Sequence, residues 1–205
     1  MKSNLFTAKT LEEALEEAKN TLNITDNDFI YNYEETKGKL FKAGSFNVNV
    51  YLISDICSYL KDYLKRLTSD MGIEVNFESK IRDKSIEITM ISDNNPILIG
   101  RNGQTLKALE CILMQVVNKE TSKHIRVMLD VQGYKEKQIK RLERLAINLA
   151  KDCVRTKTDV HMDSMNSYER RIVHNKLTGF KGVKTESIGE EPNRCVVIKL
   201  KEEIK

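Results

Sequence analysis

The chain has 205 residues, of which 31% are charged and 40% are hydrophobic, a composition that supplies small cores and excludes wholesale disorder. No apolar run approaches the roughly 18 residues that a membrane-spanning helix needs, so we predict no integral membrane segment. The first residues carry no apolar signal segment, so the expected location is the cytoplasm.

The charges are distributed unevenly along the chain. Residues 1–55 carry 6 basic and 9 acidic side chains, whereas residues 133–205 carry 17 basic and 11 acidic side chains. The net charge therefore rises from −3 at the N-terminal end to +6 at the C-terminal end. This gradient favours an anionic partner for the C-terminal half and a different task for the N-terminal segment.

Residues 1–53 predict a small module that contains a strand, a helix and two further strands. Residues 4–8 form the first strand in this prediction, and Thr10 with Glu13 predicts a capping box at the start of the helix. A loop at residues 37–44 separates the last two strands. Because a segment of about 50 residues has little core of its own, we expect it to pack on a neighbouring segment or a second copy.

Residues 54–132 predict the element order α-β-β-α-α-β. An amphipathic helix follows Ser54, and two strands with alternating apolar and polar residues come next. Pro96 suits the first turn of a short helix, which runs into the sequence Gly-Arg-Asn-Gly at residues 100–103. A longer amphipathic helix begins at Gln104, and a third alternating strand completes the segment.

The Gly-x-x-Gly sequence between these two helices predicts a turn that binds phosphate. Gly100 and Gly103 allow the backbone to approach a polyanion closely, and the first amides of the next helix favour an anion. Arg101 adds a charged donor. The chain contains neither the Walker phosphate loop nor the dinucleotide-binding glycine motif, so the pattern favours nucleic acid as the partner.

Residues 133–205 predict two helices followed by two strands. The second helix begins near Asn166 and contains Arg170 and His174, which are four residues apart. We expect these two side chains to lie together on the solvent face, where they would hydrogen-bond a phosphate and stack on a base. Surface pairs of this kind are usually idle, so the spacing alone leaves a functional and a structural interpretation open.

The long helix predicted from about residue 134 is rich in basic side chains. Eight basic and three acidic side chains lie between residues 134 and 157. Such a run is either a solvated face or a surface that attracts phosphate, and the sequence leaves both interpretations open.

Catalysis finds little support in the sequence. Adjacent glutamates diverge, no serine has an evident histidine and aspartate partner, and His161 and Asp163 are interpreted as part of a loop. The four cysteines, at positions 57, 111, 153 and 195, form no Cys-x-x-Cys motif and are predicted to be small buried hydrophobic residues. We therefore expect no enzymatic activity, no metal and no cofactor.

Two segments resemble known domains. The segment from Leu98 to Leu109 and the strands around it resemble a type II KH domain. The segment from Asn166 to His174, followed by the segment from Gly189 to Ile198, resembles the domain named for its Arg-x-x-x-His element (R-3-H). Behind a short acidic N-terminal module, the two together resemble the bacterial Jag family.

The resemblance implies an α+β fold with three small α/β modules in series. These would be a Jag N-terminal module at residues 1–53, a type II KH domain at 54–132 and an R-3-H domain at 133–205. The implied function is non-catalytic binding of single-stranded RNA, in which the KH loop clamps the backbone of about four nucleotides. The implied RNA-binding residues are Ile99, Gly100, Arg101, Asn102, Gly103, Gln104, Lys107, Arg170, His174 and Arg194.

The resemblance also implies protein partners and a cellular role. It suggests a homodimer or a heterodimer with a small KH protein, a link to cell elongation and division, and association with a membrane-protein insertase. An alternative is a protein-interaction scaffold for which RNA binding is incidental. A hydrolase or nuclease is a third hypothesis and has the least support.

Overall fold

The structure is a computed structural model that describes residues 1–36 and 44–201. The chain separates into two compact units, Met1–Gly133 and Tyr134–Lys205. The first unit combines helices with two small sheets and the second combines helices with one, which confirms the predicted α+β class. Most of the predicted loop at residues 37–44 lies outside the described residues, which resume at Gly44.

The N-terminal unit begins with an antiparallel sheet covered on one face by a helix. The elements are β1 (Asn4–Ala8), α1 (Leu11–Leu22), β2 (Phe29–Thr36) and β3 (Ser45–Leu52), with the strand order β1-β3-β2. The Thr10 hydroxyl accepts a hydrogen bond of 3.2 Å from the Glu13 amide and so caps α1. The fully buried members of this core are Ala14, Ala18, Phe29, Val48 and Val50.

The second part of the N-terminal unit has the predicted order α-β-β-α-α-β. Its elements are α2 (Ile53–Asp70), β4 (Asn76–Arg82), β5 (Ser85–Ile91), α3 (Asn95–Ile99), α4 (Gln104–Thr121) and β6 (Arg126–Val131). Strand β4 pairs antiparallel with β5, and β5 pairs parallel with β6. A parallel pair needs a crossover connection, which here consists of α3, the turn at residues 100–103 and α4.

The two parts of this unit meet at the C-terminal end of α4. The Tyr51 hydroxyl donates to the carbonyl oxygen of Glu120 at 3.1 Å, and the Asn32 amide donates to that of Thr121 at 3.2 Å. These carbonyls belong to the last turn of α4, where the backbone carbonyl oxygens have no hydrogen-bond donors inside the helix. The first sheet therefore packs on the second part, as its size predicted, and contacts the end of α4 remote from the turn at residues 100–103.

The C-terminal unit packs two helices against an antiparallel sheet with the order β7-β9-β8. Its elements are α5 (Tyr134–Thr156), β7 (Val160–Ser164), α6 (Ser167–Leu177), β8 (Val183–Ile188) and β9 (Cys195–Leu200). The prediction that His161 and Asp163 belong to a loop is wrong, because both lie in β7, where His161 pairs with Val197. The buried side chain of Met162 fixes this short strand on the core.

The prediction of four buried cysteines is correct for two positions and wrong for the other two, since Cys195 is only half-buried and Cys111 is exposed. Cys57 and Cys153 are buried, and burial raises the pKa of the Cys153 thiol. Cys111 is exposed, because the inner face of α4 is occupied by Leu106, Leu109, Leu113 and Val117. Among the helices that the structure describes, none is long and apolar enough to cross a membrane.

Candidate nucleic-acid interface

The turn between α3 and α4 needs glycine at position 100. Gly100 has φ +71°, a region that side chains rarely adopt. A Cβ atom there would overlap the Thr105 hydroxyl and lie 2.9 Å from the Thr105 backbone nitrogen. The turn closes when the Gly103 amide donates to the Gly100 carbonyl oxygen at 3.3 Å. Thr105 of α4 therefore fills the space next to Gly100, and the turn has no room for a side chain at this position.

The apex of this turn projects into solvent. Asn102 has φ 51°, in the left-handed region that asparagine tolerates better than most residues, and Gly103 follows at φ 77°. The side chains of Arg101 and Asn102 are both exposed. A cationic donor and an amide therefore stand at the tip, where neither is used in packing.

The start of α4 presents backbone amides that can bind an anion. Gly103 occupies the N-cap position and so contributes no side chain to the cap. The first turn of α4, all of which the structure describes, contains no acidic residue. The Gln104 amide donates to the Arg101 carbonyl oxygen within the preceding turn. The amides that follow Gln104 lie at the positive end of the helix dipole, which favours a phosphate group.

Apolar side chains lie beside the turn. Ile99 is half-buried at the end of α3, and α3 packs against α4. Ile97 is 54% exposed, and Ala108 is exposed next to Lys107 on the first turns of α4. The sequence prediction included Ile99, Gln104 and Lys107 but missed Ile97, whose signal was an isoleucine directly after the helix-starting proline.

The prediction that Arg170 lies on the solvent face is wrong. Arg170 is 7% exposed, and its guanidinium donates to the Met165 carbonyl oxygen at 2.7 Å and to Glu191 Oε1 at 3.0 Å. A capping box between Asn166 and Glu169 fixes the start of α6. Arg170 then shares the inner face with Val173 and Leu177, which follow it by three and seven residues.

His174 is half-buried and fastens α6 to the edge strand β8. Its Nδ1 lies 2.6 Å from the Thr185 hydroxyl, and its Nε2 lies 3.0 Å from the Ser187 hydroxyl. Both ring nitrogens therefore have partners within the unit. The two side chains that name the domain therefore both hold α6 in place. Arg170 bonds to the loops before α6 and before β9, and His174 bonds to strand β8.

Other side chains of the C-terminal unit reach solvent near this helix. The Arg194 side chain is exposed. The backbone carbonyl oxygen of Arg194 accepts a hydrogen bond of 3.1 Å from the Met165 amide, and the Met165 carbonyl oxygen accepts from Arg170. Tyr168 is 63% exposed and lies three residues before the exposed Arg171 on the outer face of α6. The sequence prediction missed these last two, although their spacing was visible.

Two family profiles match the chain. The profile described as "KhpA/KhpB, KH domain" matches residues 58–129, and the R-3-H domain profile matches residues 140–200. The turn at residues 100–103 lies within the first match, and α6 with β8 and β9 lies within the second. The chain is thus of the class that joins a KH domain to an R-3-H domain.

The relatives place the chain in one family. It is 37% identical to "RNA-binding protein KhpB" of Clostridium symbiosum over an alignment of 203 positions, which covers 96% of this chain and 91% of that protein. It is 28% identical to the protein of the same name from Bacillus subtilis (strain 168), over 97% of this chain and 98% of that one. The chain belongs to the KhpB family, which confirms the resemblance to the Jag family.

Proposed function

We propose that this chain is a non-catalytic RNA-binding regulator that holds single-stranded RNA. The observation that carries the proposal is the exposed turn at residues 100–103, set at the start of a helix without a side-chain cap. The relatives named as RNA-binding proteins support it, as do the two domain matches. The proposed role needs no cofactor.

At the KH turn, the phosphates and the bases of the RNA meet different groups. A phosphate of the strand sits against the amides of the first turn of α4, and the Arg101 guanidinium neutralises its charge. Gly100 permits the tight turn that places these groups together. The bases lie against the apolar side chains of Ile97, Ile99 and Ala108, an arrangement that selects unpaired RNA because paired bases are not accessible in this way.

The C-terminal unit supplies a second contact in this proposal. The exposed side chains of Tyr168, Arg171 and Arg194 meet the strand. His174 acts as a positioning residue that holds α6 against β8, because both of its ring nitrogens have partners within the unit. Arg170 acts as a positioning residue, because its guanidinium is used by Met165 and Glu191. Two linked contacts raise the overall affinity above that of either one through their effective concentration.

The test of this function is charge reversal at the turn. Arg101→Asp combined with Asn102→Asp places carboxylates where the phosphate sits. We expect the affinity for a labelled single-stranded oligouridine, measured by fluorescence anisotropy, to fall by about tenfold or more. With three or four phosphate contacts, the logarithmic salt slope of the unmodified chain should be about −2 to −3.

The matched control changes the same net charge elsewhere in the same unit. Arg66→Asp with Ser69→Asp alters two exposed side chains on α2. This control should bind the oligouridine nearly as tightly as the unmodified chain. Equal affinity for the turn variant and the control, with both variants folded by circular dichroism, would refute the role of the turn.

We further propose that the chain forms a homodimer or a heterodimer with a small KH protein. Cys111 and Ile112 are exposed on the outer face of α4, which leaves an apolar strip that another KH domain would cover. Ile112→Lys should shift the mass measured by light scattering from dimer to monomer. An unchanged mass would refute this interface.

The scaffold alternative is favoured by one observation in the N-terminal sheet. Leu5 is 63% exposed on β1, an edge strand of a segment with net charge −3. Under this alternative, the sheet would bind a protein such as a membrane-protein insertase. Leu5→Lys should then abolish the cellular role in elongation and division while leaving RNA affinity unchanged. Loss of that role in the turn variant alone would favour RNA binding.

A further inference from the structure

We infer that the solvent face of α5 is an additional contact site for the phosphodiester backbone of RNA. The site, called the α5 stripe, consists of Lys137, Lys140, Arg144, Lys151 and Arg155. The inference rests on the proposed function and adds a surface that contains none of the residues of the Gly-x-x-Gly or Arg-x-x-x-His elements.

The spacing of the stripe places its cations in one row. Successive members are separated by 3, 4, 7 and 4 residues. At 3.6 residues per turn these positions fall within an arc of about 60°, and they extend over roughly 27 Å of the helix axis. A row of this length can contact several phosphates of one strand.

The opposite face of α5 packs in the core of the C-terminal unit. Ala146, Ala150 and Cys153 are buried there against the sheet of the C-terminal unit. An amphipathic helix that lies in a membrane interface inserts its apolar face, and that face of α5 is buried here. Electrostatic attraction of the cations to an anionic bilayer needs no insertion, so vesicles form one arm of the experiment.

The acidic side chains of α5 leave the stripe with an excess of positive charge. Glu136 pairs with Lys140, Asp152 pairs with Arg155 at 2.8 Å, and Glu143 pairs with Lys176 at 3.0 Å. The helix nevertheless holds seven basic side chains against these three acids. Its pairs are at least partly exposed, and exposed pairs contribute little, so a phosphate can displace a carboxylate at small cost.

A shallow groove next to the stripe gives the strand a concave seat. It has a volume of about 260 Å³ and is lined by Lys140, Glu143, Arg144, Ile147 and Lys176. The Ile147 side chain offers an apolar surface for a sugar or base, and the cations meet the phosphates. The groove contains Lys176 of α6, whereas His174 contacts β8, so the two lie on different sides of that helix.

The experiment compares two pairs of substitutions in the full chain. Arg144→Gln with Lys151→Gln removes two exposed cations from the stripe, and Lys181→Gln with Lys184→Gln removes two exposed cations of the same unit outside it. Both double variants lose the same net charge. The measurement is the affinity for a labelled single-stranded oligouridine as a function of salt concentration.

We expect the stripe variant to bind about tenfold more weakly and its salt slope to become shallower by about 1.4, since each lost contact to a single strand removes about 0.7. The control should change affinity by less than about twofold. Equal losses in both variants would show a general charge effect and overturn the inference. Full affinity in the stripe variant would also overturn it, while leaving the proposed function intact.

Two further outcomes distinguish failure of the proposed function from failure of this inference. If the unmodified chain failed to bind the oligouridine, the proposed function and this inference would both be refuted. Sedimentation with phosphatidylserine–phosphatidylcholine vesicles is the other arm. If the stripe variant lost vesicle binding and kept its RNA affinity, the stripe would be a lipid contact and the inference would be wrong.

Discussion

Arg170 and Glu191 form an ion pair at 3.0 Å in which the two side chains differ sharply in exposure, 9% for the arginine and 63% for the glutamate. The buried guanidinium also donates to the Met165 carbonyl oxygen. The arginine of the signature element therefore ties the loop before α6 to the loop before β9. In the proposed function, Arg170 therefore acts through the shape of these loops.

The first prediction concerns this positioning role. Arg170→Gln should lower the free energy of unfolding by about 2 kcal/mol, because it removes two charge-assisted hydrogen bonds. Arg171→Gln, on the neighbouring exposed side chain, should leave stability unchanged and weaken RNA binding instead. Thermal denaturation and anisotropy titrations measure the two effects. If Arg170→Gln weakened RNA binding and left stability unchanged, the positioning role would be refuted and a direct contact between Arg170 and phosphate would be favoured.

The same element shows where prediction from sequence ends. Local signals were sufficient for the start of α1 at Thr10 and of α6 at Asn166, because a cap depends on residues three positions apart. The glycine turn could likewise be predicted from its neighbours. The orientation of Arg170 could not, since its acceptor Glu191 is 21 residues away and enters only when the sheet forms.

The partners of His174 and the strand β7 were unpredictable for the same reason. Thr185 and Ser187 follow His174 by 11 and 13 residues and lie on an edge strand whose register fixes the two contacts. Strand β7 has five residues and only one fully buried side chain, Met162. A single inward residue is too weak an alternation to separate a strand from a loop before tertiary pairing is known.

The second prediction concerns the need for glycine at position 100 of the KH turn. Gly100 and Gly72 both have positive φ, +71° and +72°, but Gly100 also has ψ −179°, a combination essentially restricted to glycine. A Cβ at Gly72 would meet no described atom within 4 Å. Gly72→Ala should therefore cost about 1 kcal/mol from conformation alone. Gly100→Ala adds the overlap with Thr105, so it should destabilise more and abolish RNA binding at the turn.

Thermal melts and anisotropy of both alanine variants test this comparison. Because Gly72 ends α2 outside the turn, its variant should bind RNA like the unmodified chain. If both variants lost the same stability, the space behind Gly100 would not be limiting. If both kept full RNA affinity, RNA binding would not depend on the tight turn at Gly100.

The third prediction concerns the end of α4 remote from the turn. Tyr51→Phe removes the hydroxyl that donates to Glu120 and leaves the ring in place. The loss should be about 1 kcal/mol of stability, the usual net value of one hydrogen bond. Tyr33→Phe, on an exposed ring of the same sheet, is the control and should have no effect. RNA affinity should be unchanged in both, and a fall in Tyr51→Phe would show coupling along α4.

The last prediction concerns pH and the pair formed by Glu186 and Lys199 at 2.6 Å. The hydrogen bond from Lys199, followed by its charge, lowers the pKa of Glu186 from the ordinary value of 4.5. The same bond raises the pKa of Lys199 from 10.5. A carboxyl with a lowered pKa stabilises the fold above 4.5 and loses this contribution as the pH falls through its folded value. A lysine with a raised pKa contributes below 10.5 and loses its contribution as the pH rises past its folded value.

Lys199→Gln should therefore lower the melting temperature slightly at neutral pH, because both groups are solvated and the pair is weak. The difference from the unmodified chain should shrink in acid, where Glu186 is protonated, and shrink again in strong base. Lys181→Gln is the control and should give no pH-dependent difference. A constant difference across the whole pH range would mean that Lys199 stabilises the sheet through its aliphatic stem and not through the charge of Glu186.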